Sequence, residues 1–247
     1  MKMIKKLALG VVCALSLAGA AQAQDTKTLN VATDATFPPF EYFDNNVRTG
    51  FDVEMVEALA AKMGRQVNWT QIDFKGLIPG LVAKRFDVAV SAIYITDERK
   101  KVVDFTNSYY PGGLVVLGKA DDASITGPED LKGKKVSVQV GTKSVAYLKE
   151  HYPEAQLVEV EKNEEMFNLL LTGRVDAAVT GKPAALLFAS KNDAVHVLPK
   201  QVTTEEYGIA VRKDLADLTA ELNAALDAIK ADGTYDALVS KWFGGVK

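Results

Sequence analysis

The sequence predicts an α/β protein folded as two lobes, and three observations lead there. Short apolar runs alternate with amphipathic stretches along the chain, the order expected of strands and helices stacked in layers. A helix–strand unit also recurs: LVAKRFDVAVS is echoed 89 residues later by LLLTGRVDAAVT, pairing Arg85 with Arg174, Asp87 with Asp176 and Ser91 with Thr180. A period that long suits two related lobes, since solenoid repeats run about 20–50 residues; chance likeness of two helix–strand units is the competing reading. Finally, two extended stretches, SYYPGGLVVLGK and TEEYGIAVRKD, can each carry the chain between lobes. Two crossings make the first lobe discontinuous, residues 24–110 and 208–247, around a second lobe of residues 111–207.

The amino terminus has the layout of a cleavable secretory signal. MKMIKK is basic, Leu7 to about Ala20 is apolar, and AQAQ offers a cut after Ala23, making residues 1–23 the signal peptide. The apolar run is shorter than the roughly 20 residues of a membrane span. Cys13, the sole cysteine, leaves with it. A mature chain without cysteine suits a periplasmic protein whose core needs no disulfide. Loss of Lys2, Lys5 and Lys6 leaves 26 basic against 32 acidic residues, a net charge near −6. That balance disfavours nucleic acid and anionic membrane surfaces as partners.

Along the mature chain, LNVATDA reads as a strand and FDVEMVEALAAKMG as a helix. Met55, Val56, Leu59, Ala60 and Met63 fall at helical spacing, with Asp52 as N-cap and Gly64 at the C-terminal end. VNWTQID, a short helix in GLIPGLVAKR, and the strand FDVAVSAI follow. The second half offers the strand KKVSVQV, the turn GTKS, the helix SVAYLKEHY, a helix in EEMFNLLLTGR and the strand VDAAVT. The tail reads as two helices split at Asp232-Gly233 that pack on the first lobe, with Trp242 and Phe243 as docking anchors.

Asp34, ending the first strand, and Arg99, just past FDVAVSAI, are expected at two ends of a pocket for a small polar molecule carrying a carboxylate. A guanidinium grips a carboxylate through two parallel charge-assisted hydrogen bonds. The alternative for Arg99 is a solvated charge cluster, Asp97-Glu98-Arg99-Lys100-Lys101.

GFDVEMVEALAAKM, together with ATDATFPPFEY, IDFKGLIPGL, ITDERKKVVDFT, EEYGIAV and DGTYDALVSKWFG in that order, resembles the family 3 bacterial solute-binding proteins. The likeness covers nearly the whole mature chain. It implies the two-lobed periplasmic binding protein fold (type II), with lobes joined by two hinge strands. It implies a periplasmic receptor, probed by an inner-membrane ABC permease, that closes over a small polar amino acid, glutamine-like. It implies no enzyme activity, no cofactor and a monomer.

By the same resemblance the carboxylate falls to Arg99, the ligand side chain to Asp34, and the aromatic walls to Phe37 and Phe74, which could equally be core. The loop Ser91, Ala92 and Tyr94 supplies backbone and hydroxyl groups to the α-carboxylate. The second lobe contributes Gln139, Thr142, Lys143, Thr180 and Gly181.

The chain departs from the pattern at Gly181, where such receptors place an acid for the α-ammonium. A buried ammonium without an acceptor costs several kcal/mol. Either another acid turns in, or the ligand is an organic acid or amino-acid derivative. Lys143 and Lys182 point either into the cleft, favouring extra negative charge, or to solvent. A periplasmic dehydratase on the same fold is the enzyme alternative, with Asp34 and Glu41 as acid–base groups. His151 and His196, the two histidines, lie outside the pocket segments and read as structural or solvated.

Overall fold

The computed structural model describes residues 28–244; the signal expected at residues 1–23 lies outside them. In chain order the elements are β1 (Thr28–Thr33), β2 (Tyr42–Asp44), β3 (Val47–Thr49), α1 (Phe51–Lys62), β4 (Gln66–Gln71), α2 (Leu77–Val82), β5 (Val88–Ala89), α3 (Asp97–Lys100), β6 (Val103–Phe105) and β7 (Tyr110–Pro111). There follow β8 (Leu114–Lys119), β9 (Lys135–Gln139), α4 (Lys143–His151), β10 (Gln156–Val160), α5 (Asn163–Leu171), β11 (Ala177–Gly181), α6 (Lys182–Ala189) and β12 (Val195–Val197). The chain ends with β13 (Glu206–Tyr207), β14 (Ala210–Arg212), α7 (Ala216–Ala231) and α8 (Thr234–Phe243).

Two separate five-stranded sheets result, ordered β4-β1-β5-β14-β6 and β10-β9-β11-β8-β12. Strands before residue 106, apart from the separate β2-β3 hairpin, and after 209 build the first; strands between 114 and 197 build the second. Between them β7 pairs antiparallel with β13, setting Tyr110 opposite Tyr207. The two connections therefore lie side by side as a hinge. Apolar strand residues such as Leu29, Val31, Val88, Val116 and Val136 are fully buried, which fixes the helices against each sheet.

The internal repeat has a structural counterpart. Asp87 Oδ2 accepts from the Asn30 backbone N–H at 3.0 Å, and Asp176 Oδ2 accepts from the Lys135 backbone N–H at 2.8 Å. In each lobe, therefore, one acid at the strand entry satisfies a backbone donor of the neighbouring parallel strand.

Two expectations need correction. Asp52 does not cap α1: Gly50 holds that position with φ of 126°, and Asp52 turns inward, fully buried. A Cβ at residue 50 would overlap the Phe40 carbonyl, so only glycine allows this entry. FDVAVSAI is strand only over Val88–Ala89, because the backbone turns away from the sheet and Ala92 takes φ of 44°. The tail divides as expected, with Gly233 at φ of 82° between α7 and α8. Phe243 packs 4.3 Å from Tyr110 and 5.1 Å from Phe51, ring centre to centre, and Trp242 Nε1 donates to Glu54.

Candidate functional site

A small cavity lies between the lobes. Its walls are the carboxyl ends of strands from both sheets, where open α/β folds place their ligands. The end of β1 gives Asp34, the following turn Phe37 and Glu41, the segment before α2 Phe74, and the bend after β5 Ser91, Ala92 and Tyr94. From the opposite lobe come Gln139 at the end of β9, Thr142 and Lys143 at the start of α4, and Thr180 and Gly181 at the end of β11. Of the residues assigned to the ligand by the resemblance, Arg99 alone is not on the wall.

Asp34 is 1% exposed, yet its carboxylate meets four donors. Oδ2 accepts from Phe74 N–H at 3.1 Å and from Gln139 Nε2 at 2.9 Å. Oδ1 accepts from Gln71 Nε2 and from Lys162 Nζ, each at 3.4 Å. Gln139 is held in that orientation because its Oε1 accepts from Asn163 Nδ2 at 2.8 Å. Burial raises the Asp34 pKa, while the Lys162 charge and the Phe74 N–H pull it back. Asp34 thus ties the two lobes together, and its four acceptor positions are filled.

Behind the Ser91 bend sits a second group of acids. Ser91 Oγ donates to Glu41 Oε1 at 2.7 Å, while Ala92 N–H and Tyr109 O–H both donate to Asp52 Oδ2 at 2.9 Å. Glu41 Oε2 and Asp52 Oδ1 are buried with no hydrogen-bond partner, and the two acids lie close enough to shift each other's titration. Two buried carboxyls in contact share a proton, because both cannot ionise in a dry site. Burial, then the neighbouring Asp52, pushes Glu41 far up; burial pushes Asp52 up to about 6. The Ser91 hydroxyl and the Ala92 N–H, expected to face a ligand carboxylate, are therefore spent on these acids.

Arg99 lies across the mouth of the cleft. Its NH1 donates to the Tyr94 carbonyl at 2.8 Å and its NH2 to the Gly141 carbonyl at 3.3 Å, with the guanidinium 5.7 Å from the Phe74 ring centre. Gly141 immediately precedes Thr142, whose Oγ1 donates to the Gln139 carbonyl and fixes the turn into α4. Ser144, buried in the first turn of α4, opens on the cavity. Free N–H groups at a helix start favour an anion, and here a guanidinium stands beside them.

At Gly181 a Cβ would collide with the Tyr207 hydroxyl and come within 3.3 Å of Phe37. Tyr207 is fully buried and donates to the Tyr94 hydroxyl at 3.2 Å. Two phenols thus fill the space where an acidic side chain would stand. The lysines part company: Lys143 is half-buried on the wall, 3.5 Å from Glu205, whereas Lys182 is exposed and reaches Gln201. His151 stacks on Tyr147 at the end of α4, and His196 lies in β12. Lys162, Asn163 and Tyr207 escaped the sequence reading. Tyr207 had a signal, its place in EEYGIAV; the other two had none.

A cavity closed between two α/β lobes on paired hinge strands defines a binding protein for small solutes. Residues 29–245 match the family described as bacterial extracellular solute-binding proteins, family 3, and the chain belongs to that family. It is 35% identical over 246 residues to ABC transporter arginine-binding protein 1 of Escherichia coli (strain K12), spanning 97% of this chain and 99% of the relative. An ancestral arginine-binding protein bound to glutamine superposes with a TM-score of 0.84 at 41% identity, covering 88% of this chain and 98% of that one. An ancestral amino-acid-binding protein, a precursor of cyclohexadienyl dehydratase, gives a TM-score of 0.81 at 41% identity, covering 87% and 95%.

Proposed function

We propose that this protein is the periplasmic receptor of an ABC importer and that it binds a small polar amino acid between its lobes. One observation carries the reading. The start of α4 in one lobe and Arg99 of the other converge at Gly141, forming a seat for a carboxylate that is complete only when the lobes meet. Phe37 and Phe74 flank the cavity and exclude water, which strengthens polar contacts inside. A ligand touching both lobes favours the closed form, and a permease that reads that form receives only loaded receptor.

A second reading has its own support: Gly181, faced by the Tyr94 and Tyr207 hydroxyls, suits an oxygen acceptor better than an ammonium. An organic acid or an amino-acid derivative would meet that surface. Turnover has less support, because Asp34 is saturated by donors and Glu41 is engaged with Ser91 and Asp52.

Isothermal titration of the mature protein against the twenty amino acids and a set of organic acids decides between the two. Heat from organic acids alone would reject the amino-acid assignment. Arg99→Ala is expected to lower affinity for the ligand by at least about 2 kcal/mol, as for loss of a charge-assisted pair, while exposed Arg85→Ala leaves it unchanged. Equal losses would place the carboxylate elsewhere.

A further inference from the structure

Lys162 ends the loop before α5, in the lobe opposite Asp34, and reaches across the cleft. Its Nζ lies 2.6 Å from Asp73 Oδ1 and 3.4 Å from Asp34 Oδ1. Beside it Lys75 and Glu161 form another cross-lobe pair at 2.5 Å, so this side of the seam sets two lysines, Lys162 and Lys75, among three acids, Asp34, Asp73 and Glu161. Lys162 is not on the cavity wall; it neutralises Asp34 from behind. Partial burial works against its charge, but the hydrogen bond to Asp73 and the fields of Asp34 and Asp73 outweigh that, and its pKa is raised.

We infer that Lys162 sets the charge selectivity of the cleft: resting on the amino-acid reading above, it places a cation against the wall carboxylate of Asp34 as the lobes close and so selects uncharged polar side chains over cationic ones. The remaining acid on the wall, Glu41, is fully buried and engaged by the Ser91 hydroxyl, with its pKa pushed far up by burial and then by Asp52. A cationic side chain entering beside Asp34 would find Phe74 N–H and Gln71 already on that carboxylate, with Gln139 and the cation of Lys162 arriving as the lobes close. Lys162 belongs to one lobe and Asp34 to the other, so the repulsion acts on closure. Closure is the step that retains the ligand. Discrimination thus comes from a like charge placed against the wrong ligand as well as from contacts with the right one.

The test is titration of the mature wild-type protein, Lys162→Met, Lys162→Gln and the double variant Asp34→Asn/Lys162→Met with glutamine, asparagine, arginine and lysine. Circular dichroism confirms folding of each. The wild type is expected to prefer the neutral pair. Both single variants are expected to shift the arginine-to-glutamine affinity ratio toward arginine by on the order of tenfold, as for removal of a close like charge. The double variant is expected to lose that gain, because the freed carboxylate is gone. A wild type that prefers arginine, or folded Lys162 variants whose ratio stays within about threefold of wild type, overturns the inference while leaving the receptor reading intact. A wild type that binds no amino acid overturns both.

Discussion

Asp52→Asn should stabilise this protein at alkaline pH and leave it unchanged in acid. Asp52 is fully buried with its pKa raised to about 6, first by desolvation, while its bonds from Ala92 and Tyr109 act in the other direction. A carboxyl raised in the folded state binds more protons there than in the unfolded chain. Stability therefore falls as pH climbs from about 4, the unfolded value, to about 6, and the loss persists above that. At 1.36 kcal/mol per pKa unit the shift corresponds to about 3 kcal/mol at pH 8, an upper figure because water entry relaxes buried charge. Asparagine keeps every partner. Its carbonyl takes the place of Oδ2, accepting from Ala92 N–H and Tyr109 O–H, and its amide donates toward Glu41, where Oδ1 now faces an acid. Urea unfolding followed by circular dichroism at pH 4.5, 6 and 8 measures the difference. The expected gain is about 1–3 kcal/mol at pH 8 and near zero at pH 4.5. A variant less stable than wild type at pH 8, with the pH slope retained, would show that the two acids do not share a proton.

Two further substitutions probe closure and the tail. Gly181→Ala places a methyl against the hydroxyl of Tyr207 on the hinge strand β13 and within 3.3 Å of Phe37 across the lobe boundary, a clash that opening of the cleft relieves. Ligand affinity should drop by about 1–3 kcal/mol, the usual cost of overpacking, with little change in the melting temperature of the unliganded protein; an equal fall in both would place the strain within one lobe. Phe243→Ala removes the ring that packs on Phe40, Phe51 and Tyr110 from the half-buried end of α8. It should cost about 2 kcal/mol in chemical denaturation, less than full burial would give, and unchanged stability would mean that the tail is not docked through this residue.

What the sequence disclosed and what it hid divide by distance along the chain. The α1 face, the split at Gly233 and the paired units ending at Ser91 and Thr180 are written in periodicity and in residues that act within a turn of themselves. The matching roles of Asp87 and Asp176, each holding a backbone N–H of the neighbouring parallel strand, are visible once the two units are aligned. Asp52 misled because a carboxylate at a helix start is ordinarily a cap. Here the φ of 126° at Gly50 moves the cap back two residues and turns the acid inward.

The donors on Asp34 lie 37 to 128 positions away, and no local pattern announces them. Cleft residues are chosen by what faces them when the lobes meet, so the same acid reads as a ligand contact in isolation and as a tie between lobes once Gln139 and Lys162 are in place. A residue's type was thus a good guide to its position on the cavity and a poor guide to its partner. The partner decides whether Asp34 is a charge the ligand feels: an acceptor free to a cation in an open cleft is, in the closed one, an acceptor already answered from the opposite lobe.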